Sequence, residues 1–320
     1  MSLIERHQRV QDKLQSDLGP EIMAALADPD IVEIMLNEDG ALWVDTYEGL
    51  RHYRDYSADR GRNLINTVAS ISGEDINAES PNIAAEIKLF ANGEVKKYRF
   101  QGLIPPIVSN PVFCIRKPAS RVIPLSEYVR QGVLTEEQSQ CLRAAIAAKC
   151  SILVIGGTGS GKTTFCNALL NEMSAIAPQE RVILIEDTLE LQCAVPNKIY
   201  LRTSDTRSMD DLLRYCMRLR PDRIIVGEVR GKEAHTLIKA WNTGHPGGMA
   251  TIHANRAAKG LLRLEQLIQE ANVQPIPEAI VEAVNLLVAI EKSPNTQAGR
   301  QIKEILTVQG WTSGGGYILN

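Results

Sequence analysis

Residues Gly156-Gly157-Thr158-Gly159-Ser160-Gly161-Lys162-Thr163 follow the pattern G-x-x-x-x-G-K-[ST], the spacing of a phosphate-binding loop. Each residue type has a physical job in such a loop. Glycines let successive backbone N–H groups turn inward and form a nest for an anion. Lys162 supplies a point charge for β- and γ-phosphates, and the Thr163 hydroxyl is a hard oxygen ligand suited to Mg²⁺. The setting agrees: Ser151 to Ile155 is a short apolar, β-prone run, and Thr164 to Met173 has helical composition. Strand, loop and helix are what the motif requires. Gly157, Thr158, Gly159, Ser160, Gly161, Lys162, Thr163 and Thr164 are the candidate phosphate contacts.

Further chemistry gathers downstream. Arg223-Ile224-Ile225-Val226-Gly227-Glu228 is an apolar strand ending in a carboxylate, placed where an open α/β sheet binds its ligand. There Glu228 can hold Mg²⁺ through water or orient an attacking water. Val182 to Glu186 is a second such strand, and adjacent strand tips would bring Glu186 and Glu228 to one edge. Two carboxylates there could divide water activation and metal ordering, and which one is the base stays open. Thr243 to Asn255 holds two histidines around a β-prone segment. His253 is the candidate to sense a γ-phosphate or to bond the water-orienting Glu, with His245 the weaker of the two. Arg214 and Arg218, four apart, share a face of an expected helix over 208–220. They could be a solvated basic face or an arginine finger into a neighbouring subunit's nucleotide. Arg116 lies in the first half, beside apolar strand residues, and could reach phosphate from another domain or make a surface salt bridge.

Positioning these groups takes two domains, the natural expectation for 320 residues. Residues 1–120 read as α+β: an amphipathic helix, strands at 31–36 and 41–45 joined by the turn sequence Asn37-Glu38-Asp39-Gly40, a helix at 58–71, then strands at 94–103 and 112–117. Residues 121–134 are expected as a linker, because Pro118 and Pro124 interrupt regular structure. Residues 135–320 alternate strand and helix. Nearly continuous apolar runs at 181–186, 223–228, 248–253 and 285–290 predict strands covered on both faces, hence a mostly parallel sheet. Helices are expected at 136–149, 208–220, 232–243, 257–271 and 277–284, and Gly314-Gly315-Gly316 is a loop.

Composition narrows the function classes. Apolar residues make up 44% and the formal net charge is −3, which argues against a broad nucleic-acid-binding surface. No apolar run approaches a membrane span, and the charged start, Met1-Ser2-Leu3-Ile4-Glu5-Arg6, lacks a signal-peptide core. A cytosolic protein is expected, with peripheral docking through a partner left open. The six cysteines are scattered without C-x-x-C spacing and read as reduced small hydrophobes.

The order of the pieces is phosphate loop, Glu186-Asp187, Gly227-Glu228, then Gly244-His245 through His253. That order resembles the secretion-superfamily ATPases of conjugation, type IV and type II secretion and type IV pili. Their Asp box and His box correspond here to Ile185–Glu190 and Gly244–His253. Glu33 to Asn37, Arg99 to Gly102 with Pro105-Pro106, Ile115 to Pro118, and Arg218 to Arg223 are similar to the conjugative-transfer, TrbB-like branch. Nearly the whole chain is covered. One departure concerns metal: the pilus and type II branches often carry a four-cysteine zinc element near the C-terminus, and no cysteine follows Cys216 here.

The resemblance implies an α/β fold, with a RecA-like phosphate-loop NTPase domain preceded by a smaller α+β domain. It implies a homohexameric, Mg²⁺-dependent ATPase with nucleotide between the two domains, docked on inner-membrane channel proteins at the cytoplasmic face. In that frame Lys162, Glu186, Glu228 and His253 are catalytic, and Thr163 and Glu228 hold Mg²⁺. Arg116, Arg214 and Arg218 would close on ATP. Alternatives from other classes are a small-molecule kinase, a nucleic-acid-stimulated RecA-like motor, and an ATP-dependent scaffold that scarcely hydrolyses.

Overall fold

The structure is a computed structural model and describes residues 3–46, 49–91, 94–118, 122–204, 206–296 and 298–320. It divides into two compact units, Met1–Arg121 and Val122–Asn320. The first contains α1 (Leu3–Ala27), β1 (Ile31–Leu36), β2 (Ala41–Thr46), β3 (Gly49–Asp55), α2 (Ala58–Ser72), β4 (Asn82–Ala91), β5 (Glu94–Leu103) and β6 (Val112–Arg116). Its strands form an antiparallel sheet ordered β3-β2-β1-β6-β5-β4. The expected turn joins β1 to β2, closed by Asn37 N–H donating to Ala41 O at 3.0 Å. Alternation along the strands puts Ile34, Leu36, Leu42, Val44, Phe113 and Ile115 into one buried cluster with Leu14, Leu18 and Ile22 of α1 and Ile65 and Val68 of α2. Helix α2 begins at Ser57, whose side chain accepts from Arg60 N–H at 3.2 Å, and ends on Gly73 with φ 74°. Helix α1 breaks at Gly19-Pro20, where Gly19 has φ 68°. Arg60 forks onto Glu21 just past the break, at 3.1 and 2.9 Å, and its hydrogen bond holds the Glu21 carboxyl below its ordinary range.

At the end of β6, Lys117 turns inward. Its ammonium donates to the carbonyls of Ala25, at 3.3 Å, and Asp28, and so closes the end of α1. Burial pushes its pKa down to about 8. Between that value and the ordinary 10.5 the unfolded chain binds more protons than the folded one, so this group makes stability rise with pH across the window. The melting temperature of wild type relative to Lys117→Met is therefore expected to improve from pH 8 to pH 10.5, and a pH-independent difference would refute this.

The second unit holds α3 (Leu125–Arg130), α4 (Glu136–Ala147), β7 (Ile152–Ile155), α5 (Lys162–Ile176), β8 (Val182–Glu186), β9 (Lys198–Arg202) and α6 (Met209–Cys216). It continues with β10 (Arg223–Val229), α7 (Glu233–Asn242), β11 (Met249–Ile252), α8 (Ala257–Gln269), α9 (Pro277–Ala283), β12 (Leu286–Lys292), β13 (Arg300–Thr312) and β14 (Gly316–Leu319). Among the described residues these strands make an eight-stranded sheet, β14-β13-β12-β7-β11-β10-β8-β9. From β12 to β9 all neighbours are parallel, while β13 and β14 return antiparallel. Strands β7 and β8 are buried at every position, as continuous apolar runs require. One apolar cluster joins α3, α4 and α5 to one set of strand side chains, and another joins α6, α7, α8 and α9 to the alternate set.

Two expectations need correction. Residues 121–134 are not a free linker. Residues 119–121 lie outside the described residues, but 125–130 form α3, with Leu125 and Tyr128 buried in the second unit's core. The Pro124 that suggested an interruption is the residue preceding that helix. The helix expected over 208–220 ends at Cys216, so Arg214 and Arg218 do not share a helical face. Arg220 sits at φ 55° just before Pro221, and a proline pushes its predecessor away from helical geometry.

At the foot of this sheet Arg223 is 1% exposed. It pairs with Glu180 and donates to Ile146 O at 2.9 Å and Gly247 O at 3.1 Å. Burial works against ionised Glu180, yet Arg223 and Lys149 together hold its carboxyl below the usual range.

Candidate active site

The loop after β7 is closed by conformations that favour glycine, with Gly159 at φ 68° and Gly161 at φ 95°. Gly161 leads into α5, so the helix N-terminus and its free N–H groups face the loop. Lys162 is the first residue of α5 and is buried, 7% exposed. Its Nζ donates to the carbonyls of Gly156 and Gly157, both at 2.9 Å.

Neighbouring strand tips bring the other groups to this end. Strand β11 runs parallel to β7 with Ile252 opposite Ile155, so His253 emerges beside Gly156. Its Nε2 lies 3.3 Å from Lys162 Nζ. Strand β10 pairs with β11 but slips register between Val226 and Val229. Thr251 Oγ1 donates to Gly227 O at 2.7 Å within that irregularity. A bulge of this kind re-aims side chains, and here Glu228 turns to His253, with Oε1 2.8 Å from Nε2. The contact is close enough for an ion pair but is not aligned as a hydrogen bond, since Glu228 Oε1 is buried without an aligned donor. Burial first, then Lys162, holds the His253 imidazole below its ordinary range against the pull of Glu228. The ring is therefore neutral near pH 7.

Strand β8 lies next to β10 and ends in Glu186, which is 3% exposed. Its carboxylate accepts N–H groups of the following loop: Glu190 at 3.0 Å and Leu191 at 3.0 and 3.2 Å. Asn167 of α5 holds the same loop, donating to Glu190 O at 3.1 Å and accepting Gln192 N–H at 2.8 Å. A side chain at Gly227 would place its Cβ 2.9 Å from Glu186 Cγ, which explains why the residue before Glu228 is glycine. Lys162, His253, Glu228 and Glu186 thus gather at the C-terminal edge of four adjacent strands.

Other expected residues lie elsewhere. Arg218 adjoins Leu219, whose carbonyl accepts from Arg181 Nε at 2.8 Å just before β8 begins. It therefore sits about 15 Å from the Glu186 end, at about 3.3 Å per strand residue. His245 is at that same far end, its Nδ1 3.0 Å from Pro221 O. Arg214 is exposed and pairs with Asp210 at 2.8 Å. Arg116 belongs to the first unit, in register between Glu33 of β1 and Arg99 of β5.

Arg230 escaped the sequence reading. It pairs with Glu228 Oε2 and lies 3.6 Å from Asp187 Oδ2. It lies just past the end of β10 and beyond the register slip, so strand alternation does not point to it. Among the described residues no group of three or more His, Cys, Asp or Glu could cage a metal. Mg²⁺ at a phosphate loop needs no cage; one or two protein oxygens, phosphates and water suffice. Thr163 at the head of α5 and the buried, undonated Oε1 of Glu228 fit that role.

Comparison with known proteins agrees with this arrangement. Residues 21–292 match the family described as "Type II/IV secretion system protein". A "Probable conjugal transfer protein TrbB" of Sinorhizobium fredii is 46% identical over 315 residues, covering 98% of this chain and 94% of the relative. The "Type IV secretion system protein PtlH" of Bordetella pertussis is 34% identical, over 88% of this chain and 91% of the relative. Among solved structures, the ATPase DotB of Legionella pneumophila shares the fold with a TM-score of 0.62 at 18% identity, over 93% of this chain and 77% of that one. The matched motifs, the strand tips that carry them and the near-complete coverage place this chain in the type II/IV secretion-system ATPase family, on its TrbB-like conjugal-transfer branch.

Proposed function

We propose that this chain is a RecA-like, ring-forming motor of a conjugation or type IV secretion system that couples ATP hydrolysis to domain motion. The observation that carries the reading is the convergence of Lys162, His253 and Glu228, with Nε2 of His253 3.3 Å from Lys162 Nζ and 2.8 Å from Glu228 Oε1. The backbone N–H groups of Gly157 to Gly161 cradle the triphosphate, and Lys162 exchanges its loop carbonyls for phosphate oxygens. Thr163 and Glu228 would hold Mg²⁺, which when bound neutralises charge on the phosphate oxygens. Glu228 orients the attacking water and takes its proton. Neutral His253 offers an N–H to the γ-phosphoryl oxygen, a contact that ADP cannot make. Such a differential contact is what shifts a conformational equilibrium.

Charge in trans from Arg214 or Arg218 completes the site in a homohexamer. The working place is the cytoplasmic face of the inner membrane, peripheral on the channel proteins. Among the described residues no helix is long and apolar enough to cross a membrane. Sedimentation with and without ATP and Mg²⁺, paired with phosphate release in the absence of DNA or any phosphate acceptor, tests the reading. A ring that releases phosphate is expected. A monomer that releases none, or release only on addition of DNA or an acceptor, would overturn it.

A further inference from the structure

The phosphate loop is also touched from its other side. Strand β12 runs parallel beside β7, with Ala289 opposite Ile155, so its end at Lys292 reaches the same edge of the sheet. Strand β13 returns antiparallel and pairs Arg300 with Lys292. Both cations lie on the loop's glycines. A Cβ built on Gly159 would stand 3.4 Å from Lys292 Nζ, and one built on Gly161 would run into the Arg300 guanidinium.

The turn between the strands fixes Arg300. Its N–H donates to Thr296 Oγ1 at 3.1 Å, its carbonyl accepts from that hydroxyl at 2.6 Å, and its Nε donates to Ala298 O at 3.2 Å. The Nη groups are left over the loop. Among the described residues neither cation has an acidic partner; the neighbouring Glu291 is taken by Lys303 at 2.9 Å. Two positive side chains beside a nest of N–H donors repel one another unless an anion lies between them.

Position says which part of the anion that is. The order β12-β7-β11-β10-β8 puts His253, Glu228 and Glu186 on the β11 side of the loop and Lys292 and Arg300 on the β12 side. If the γ-phosphate lies with the first group, the chain of phosphates runs back toward the second. Resting on the ATPase reading above, we propose that Lys292 and Arg300 bind the α- and β-phosphates, and so grip ADP and ATP alike. His253 and Glu228 then distinguish ATP, while this pair sets how long either nucleotide stays.

Calorimetric titration of ADP and of a non-hydrolysable ATP analogue with Mg²⁺ tests this in Lys292→Ala, Arg300→Ala, the double variant, His253→Ala and Lys162→Ala. Each cation removed is expected to weaken both nucleotides about tenfold, a charge-assisted contact discounted for exposure. The ADP-to-ATP ratio should stay within about twofold, and His253→Ala should weaken the ATP analogue alone. If Arg300→Ala fails to fold, Arg300→Gln, which keeps the stem, carries the same expectation. A double variant that binds ADP as wild type does, while Lys162→Ala loses it, would overturn the assignment and leave the phosphate loop standing. Wild-type protein that binds neither nucleotide would overturn both.

Discussion

Lys162→Ala is expected to lower ATP turnover by about a thousandfold or more in a steady-state phosphate-release assay, the scale seen when a preorganised charge or donor is taken from a phosphoryl-transfer or oxyanion site. Lys162 is buried at the head of α5, and its ammonium already points into the loop, bonded to Gly156 O and Gly157 O. No other cation described in the second unit lies against both the loop and His253, so none can substitute. The variant also removes the positive neighbour that helps to hold His253 low. The His253 imidazole should therefore titrate at higher pH in Lys162→Ala, which NMR can follow independently of activity. Wild-type turnover in this variant would remove the basis for assigning the site.

The second large effect separates the two carboxylates. Glu228→Gln keeps the shape of the side chain but cannot take a proton, and turnover should fall about 10²–10⁴-fold with binding of an ATP analogue retained. Glu186→Gln is expected to behave differently. The Glu186 carboxylate spans the N–H groups of Glu190 and Leu191 in a buried position, and an amide can replace only part of that acceptor capacity. Its main consequence should be a lower melting temperature, with a smaller loss of turnover than in Glu228→Gln. Should Glu186→Gln lose as much turnover at an unchanged melting temperature, the base is Glu186 and Glu228 serves the metal.

The central parallel strands and the loop between β7 and α5 were legible because their apolar runs and glycine spacing are dictated locally. The approach of His253 to Glu228 was foreseeable in outline, since strand tips in such a sheet share an edge. What could not be read depends on register or on partners distant in sequence. The slip between Val226 and Val229 that turns Glu228 toward His253 is marked in the sequence only by Gly227, and a lone glycine in a strand gives neither the size nor the direction of a slip. Lys292 and Arg300 reach the loop only through an antiparallel return that no apolar pattern announces. Strand β3 is almost wholly exposed, so it has no alternation to detect. The helix expected through Arg218 failed because Arg220 is left-handed before Pro221, a boundary that the helical spacing of arginines concealed.

Arg223 has a consequence for how the second unit moves. A single guanidinium binds the strand foot of β10 to the end of α4, to the segment before β8 and to the glycine turn before β11. Separating Glu180 would strand a buried charge, at about 3–5 kcal/mol, and separating either carbonyl would leave a buried donor unpaired, at about 1–3 kcal/mol. The base of the sheet is therefore costly to open. Motion linked to nucleotide turnover is left to the opposite rim, where Lys162, His253 and Glu228 would trade contacts with one another for contacts with the nucleotide.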